Sequence, residues 1–142
     1  MTLQVKPVTL CDASALIALI NQSDANHQRC VDILPQLLAP LLTTWSCFTE
    51  AMYLLGRYGG WSAQQELWGY VADQILLLHQ NNVEEQERMR SLMEQYRDIP
   101  MDLADASLVA TAETLNQRRI FTLDRDFHIY RFRGNQSFEV VP

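Results

Sequence analysis

Short apolar runs that alternate with helical stretches predict an α/β domain built on a mainly parallel sheet. Two further observations support this reading. The 142 residues contain no internal repeat, low-complexity tract or linker, so residues 1–142 are expected to form one domain with a proper core. Asp12 and Asp124 each follow a strand-like run, and open parallel sheets form their sites beyond the C-terminal strand ends.

Residues 8–11 (VTLC) read as a short buried strand ending at Asp12, and residues 13–21 as a helix that is apolar nearly all round. Residues 27–38 form a second, amphipathic helix that Pro35 ends or kinks. The strand 41–44 leads into a helix over 45–57, which Gly59-Gly60 terminates. Ser62 can cap the next helix, 63–73, ahead of the apolar strand 75–78. Residues 83–96 are polar and helical, and Pro100 and Asp102 introduce a helix over 103–116. The strands 120–123 and 138–141 complete the chain.

An apolar fraction of 48% with 20% charged residues is that of a soluble globular protein. Cys11, Cys30 and Cys47 are odd in number and lack C-x-x-C spacing, so they read as reduced, small hydrophobes in a cytoplasmic protein. The N-terminus reaches only Lys6 before strand-like residues and shows no secretory signal. The longest uncharged run, between Asp32 and Glu50, holds Pro35, Pro40 and several polar residues and is too broken to span a bilayer. A net charge of −6 argues against tight, sequence-independent binding of nucleic acid. The charge is uneven, however. Arg118, Arg119, Arg125, Arg131 and Arg133 face only Asp124 and Asp126 in their stretch, a basic segment that can guide a phosphate chain or simply solvate a surface.

Four acids stand beside or inside apolar segments, where ionised carboxylates are rarely placed without a partner: Asp12, Glu50, Asp105 and Asp124. Brought together, they repel one another unless a cation intervenes, and an oxygen-ligand site for a divalent metal is the simplest resolution. Each has a competing role. Asp12 suits a helix N-cap, with Ser14 two residues on. Glu50 has Ser46, Cys47, Tyr53 and Leu54 as helical neighbours and no base among them, so its ordinary alternative is a glutamate snorkelling at a helix edge. Asp105 carries the strongest signal, because aspartate is a poor mid-helix residue and Leu108 and Val109 are its neighbours a turn on. Asp102, one turn earlier, suits the cap of that helix. Asp124 and Asp126 fit turn chemistry as well as a ligand with a supporting acid, Asp126 being the substitute if the register is off by two. Phe121, Phe127, Tyr130 and Phe132 interleave with arginines and can stack bases, though such a pattern is more often core.

These residues fall into four ordered segments: Asp12-Ala13-Ser14-Ala15-Leu16, Thr49-Glu50-Ala51, the stretch from Ile99 to Ala106 with Asp102 and Asp105, and Thr122-Leu123-Asp124-Arg125-Asp126-Phe127. In that order they resemble the motifs of PIN-domain ribonucleases, and most closely the VapC-type toxins of toxin–antitoxin pairs. The resemblance covers nearly the whole chain. It implies a three-layer α/β/α sandwich, Mg²⁺ or Mn²⁺ held by Asp12, Glu50, Asp105 and Asp124, and endonucleolytic cleavage of single-stranded RNA. It also implies a homodimer and a cognate antitoxin partner. Ser14 and Thr122 match supporting polar positions, Asp102 and Asp126 are supporting acids, and Arg125, Arg131 and Arg133 are candidates for holding RNA. The overall acidity departs from what a free RNA-binding enzyme needs. Residues 56–68 match the pattern less closely, and Tyr58, Trp61 and Trp68 suit a partner or dimer surface.

Other classes fit less well. Phosphatases that use an aspartyl nucleophile need a second acid two residues on and a lysine, whereas Ser14 holds that position and Lys6 is the only lysine. No shared spacing links His27, His79 and His128, and no Ser or Cys pairs with a His, so a nucleophilic triad is unsupported. A PIN-like module that binds RNA or protein without cutting predicts a missing acid, and all four are present.

Overall fold

Two-residue periodicity in the strands sends their side chains into two separate cores, and this alternation sets the architecture. The computed structural model describes residues 8–37 and 40–142, so the N-terminal reading at Lys6 and the expected helix end at Leu38 lie outside the described residues. Five strands, β1 (Thr9–Cys11), β2 (Leu41–Thr44), β3 (Leu76–His79), β4 (Arg119–Phe121) and β7 (Glu139–Val141), pair in parallel in the order β3-β2-β1-β4-β7. Cys11, Leu41, Leu76 and Phe121 point to the side covered by α1 (Ala13–Ile20), α2 (His27–Ile33) and the buried residues of α3 (Trp45–Ala72). Leu10, Leu42 and Ile120 point the other way, against α4 (Val83–Gln95), α5 (Leu103–Leu115) and the aromatic C-terminal segment. The result is the expected three-layer α/β/α sandwich with a parallel sheet.

Register places the strand ends side by side. Leu10 pairs with both Leu42 and Ile120, and Cys11 with Phe121. The Asp12 amide then donates to the Phe121 carbonyl at 3.1 Å, so the chain just beyond β1 is tied to the end of β4. α1 is buried at every residue but Ser14, as its all-round apolar sequence demands. Asn82 and Glu85 close a reciprocal capping box at the start of α4. Among the described residues no helix is long and apolar enough to cross a membrane.

Several boundaries differ from expectation for local reasons. The second helix stops at Ile33 and tightens into a 3-10 turn over Leu34–Gln36, because Pro35 offers no N–H. β3 runs one residue later than expected, and β4 begins and ends earlier, leaving Thr122 and Leu123 beyond it. The two helices expected on either side of Gly59-Gly60 meet end to end in α3, with Gly60 non-helical at φ 63° and ψ −157°. The chain kinks there and resumes helix at once. A 3-10 turn (Arg125–His128) and a small antiparallel hairpin of β5 (Arg131–Phe132) with β6 (Gln136–Ser137) were not expected. Phe121, Phe127, Tyr130 and Phe132 are all fully buried, so these aromatics are core and cannot stack bases.

Gly60 occupies backbone space that is essentially reserved for glycine, so Gly60→Ala is expected to destabilise the chain by about 1–3 kcal/mol. Gly69 lies within α3 with open space around an added methyl, and Gly69→Ala should instead stabilise by up to about 1 kcal/mol. Urea unfolding of the two variants checks the opposite signs, and a harmless Gly60→Ala contradicts the kink.

Candidate metal centre

Each acid reaches the C-terminal edge of the sheet by its own route. Asp12 follows β1 and caps α1, its Oδ1 accepting the Ala15 amide at 3.2 Å and the Ser14 hydroxyl at 2.6 Å. Its Oδ2 accepts the Thr122 hydroxyl, from the segment after β4. Ser14 Oγ in turn accepts the Leu123 amide at 2.9 Å, and Thr122 Oγ1 accepts the Asp124 amide at 2.9 Å. Two hydroxyls thereby stitch the ends of β1 and β4 together around one carboxylate. Asp124 caps the following 3-10 turn by accepting the Asp126 amide at 2.9 Å, and Asp102 caps α5 through the Asp105 amide at 2.8 Å. Capping and a place in the site coexist at Asp12, Asp102 and Asp124.

Asp12, Glu50, Asp102, Asp105 and Asp124 all line one narrow cleft of about 70 Å³. Asp105, Asp124 and Asp126 can each offer a carboxylate oxygen with all three oxygens within 4.8 Å of one another. Asp126 can thus offer an oxygen beside Asp105 and Asp124, although it does not line the cleft itself. Glu50, which the sequence sets in an apolar segment, is exposed at the rim instead, since its turn of α3 faces out beyond the buried Cys47 and Ala51. None of these acids forms a salt bridge among the described residues, whose ion pairs lie elsewhere.

Crowding without a counter-charge moves the protons. Burial, with Asp124 nearby, raises the Asp12 carboxyl to about 6 against the hydrogen bonds from Ser14, Thr122 and Ala15. Burial and then Asp102 raise Asp105 to about 8, although Tyr130 opposes this by donating its hydroxyl to Oδ2 at 2.9 Å. Glu50 is also raised, by burial, Asp102 and Asp124. Asp126 is raised by burial and its two acidic neighbours Asp124 and Asp102.

The model of the PIN domain matches residues 9–133. The chain belongs to the PIN domain family. Ribonuclease VapC26 of Mycobacterium tuberculosis is 26% identical over 134 residues, covering 94% of this chain and 99% of that protein. Among solved structures, Mycobacterium tuberculosis VapC20, a sarcin–ricin loop cleaving toxin, superposes with a TM-score of 0.81 at 18% identity. It covers 96% of this chain and 100% of its own. A toxin–antitoxin complex from Klebsiella pneumoniae gives a TM-score of 0.67 at 19% identity, covering 94% and 96%. VapBC2 from Rickettsia felis, bound to a DNA fragment from their promoter, gives 0.68 at 11% identity, covering 96% and 100%.

On this PIN fold the expected arginines divide. Arg125 is exposed and lines a groove that shares Asp124 with the acid cleft. Arg131 Nη1 donates to the His128 and Tyr130 carbonyls, and Arg133 Nη2 donates to the Glu113 carbonyl while its guanidinium lies over Phe132. Glu113 stands eight residues along α5 from Asp105, about 12 Å of helix, so Arg133 works at the far end from the acids. Tyr130 is the partner that sequence reasoning missed. A phenol in a run of buried aromatics needs an acceptor, and that requirement was its available signal.

Asp12 and Asp105 hold protons in the folded chain that the unfolded chain, at an ordinary value of 3.8, releases. Their contribution to stability is complete below about pH 4 and is lost as pH rises through about 6 and then about 8. In chelator the melting temperature is therefore expected to fall across that window, and Asp105→Asn should remove the upper part of the fall. Thermal melts against pH check this, and a wild-type chain whose melting temperature holds level or rises over the window contradicts it.

Proposed function

We propose that the chain is a metal-dependent endoribonuclease that cleaves single-stranded RNA and serves as the toxin of a type II toxin–antitoxin pair. The observation that carries this reading is the convergence of acids from four segments on one cleft, two of which, Asp105 and Asp124, set a carboxylate oxygen within 4.8 Å of each other and of Asp126. The donor set is entirely hard oxygen, with no thiolate or imidazole in the group, which suits Mg²⁺ or Mn²⁺ rather than a softer ion. Asp12, Glu50, Asp105 and Asp124 are the proposed ligands, and Asp126 is the additional acid. When bound, a divalent ion neutralises charge on the scissile phosphate and lowers the pKa of a water for in-line attack.

The chain's own residues prepare that chemistry. Ser14 and Thr122 fix the Asp12 carboxylate in one orientation, and Tyr130 fixes Asp105. Asp105, raised to about 8 by burial and the neighbouring Asp102, would hold a divalent ion through its carboxylate. Identity with VapC26, a ribonuclease, supports the activity, and the toxin–antitoxin complexes among fold relatives support an antitoxin partner. A second copy of the chain is the other expected partner. The exposed Tyr53, Tyr58, Trp61 and Trp68 of α3 offer the apolar surface such a contact covers. Three free, buried cysteines suit work in the reducing cytoplasm, with residues 1–142 acting as one domain.

Asp105→Asn is expected to abolish cleavage of single-stranded RNA in Mg²⁺ or Mn²⁺ while its circular dichroism matches wild type. Wild-type cleavage should stop in chelator. Cutting by the folded variant at the wild-type rate, or by wild type in chelator, overturns the reading.

A further inference from the structure

The arginines of this chain are mostly committed. Arg88, Arg90 and Arg119 are ion-paired, and Arg97, Arg118, Arg131 and Arg133 donate to backbone carbonyls. Arg29, Arg57 and Arg125 make neither contact among the described residues, in a chain where 17 acids outnumber 11 bases. Two of these three, Arg29 from α2 and Arg125 from the turn after Asp124, line the same groove of about 300 Å³. Asn26 and His128 add polar groups to it, and among the described residues Asp124 is its one acidic side chain. Asp124 is also a wall of the acid cleft, so the groove and the cleft adjoin through that residue.

Guanidinium groups left without a carboxylate where acids are abundant are placed for an anion that arrives from outside. The planar fork of arginine matches two phosphate oxygens at once. An anionic strand entering the acid cleft also meets repulsion there, and cations beside its path offset that cost. We propose that the groove formed by Arg29, Arg125, Asn26 and His128 is a backbone subsite that holds a phosphate of the RNA strand flanking the one in the acid cleft. The inference rests on the ribonuclease reading and deepens it. Of these four residues only Arg125 was foreseen, since Arg29 lies nearly a hundred residues earlier in the chain and no local charge pattern marks it. The fold alone sets it beside Arg125.

The test is equilibrium binding of a fluorescent single-stranded RNA in chelator, which keeps the strand intact, over about 50 to 200 mM salt. Each phosphate contact on a single strand contributes a slope of about −0.7 in log affinity against log salt. Arg29→Ala and Arg125→Ala are each expected to weaken binding and flatten the slope in part, and the double variant, which empties this one-phosphate subsite, by about 0.7. Arg57→Ala removes an equally uncommitted charge outside the groove and should leave the slope at the wild-type value. Thermal melts confirm that these surface variants fold. Wild-type slopes in both groove variants, or an equal loss in Arg57→Ala, overturn the subsite and leave the nuclease reading standing. Failure of the wild-type chain to bind RNA at low salt also overturns it, while the cleavage assay on Asp105→Asn decides the nuclease reading separately.

Discussion

Mutual repulsion among carboxylates at the C-terminal edge of the sheet is the constraint around which this molecule is organised. Asp12 and Asp105 are buried, Asp124 and Asp126 are half-buried, and no lysine or arginine is ion-paired with the group among the described residues. The fold tolerates this because several of the acids also do structural work. Asp12 and Asp102 cap α1 and α5, Asp124 caps a 3-10 turn, and hydroxyls from Ser14, Thr122 and Tyr130 donate to the buried carboxyls of Asp12 and Asp105. Neutral donors hold the acids in place without cancelling their charge. On the proposed reading, what the group still lacks is a cation.

The sheet makes this arrangement geometric. Parallel strands end on the same edge, and β1 and β4 are neighbours although more than a hundred residues separate Asp12 from Thr122. The hydroxyl bridge from Thr122 to Asp12 and the amide bond from Leu123 to Ser14 lock the two strand ends in register. Opposite cores on the two faces prevent a slip, because a shift of one residue exchanges the side chains that fill them.

Much of this was legible in the chain itself. Leu10, Ile120 and their neighbours are short apolar runs between helices, which is enough for a parallel α/β sheet, and Asp105 announced itself as an acid inside an apolar helix. Asp102 reads as a cap from its place before that helix, and it is one. What sequence could not supply was distance. Glu50 looks buried from its neighbours, yet helix rotation turns it outward to the rim. Arg125 and Arg133 look equivalent in a basic stretch, yet the β5–β6 hairpin carries Arg133 to the distal end of α5. Arg29 and Tyr130 gain their surroundings only through packing between segments distant in the chain. The acidity that argues against RNA binding is uneven in space, since two of the three uncommitted arginines share one groove beside the acids.

The claim that these carboxylates form a divalent-ion site is tested most directly by anomalous diffraction from crystals grown with Mn²⁺. The account predicts an anomalous peak in the cleft, coordinated by oxygens of Asp105 and Asp124 together with further acids of the group. Crystals that show no peak there at saturating Mn²⁺, with the acids still converging, would contradict it.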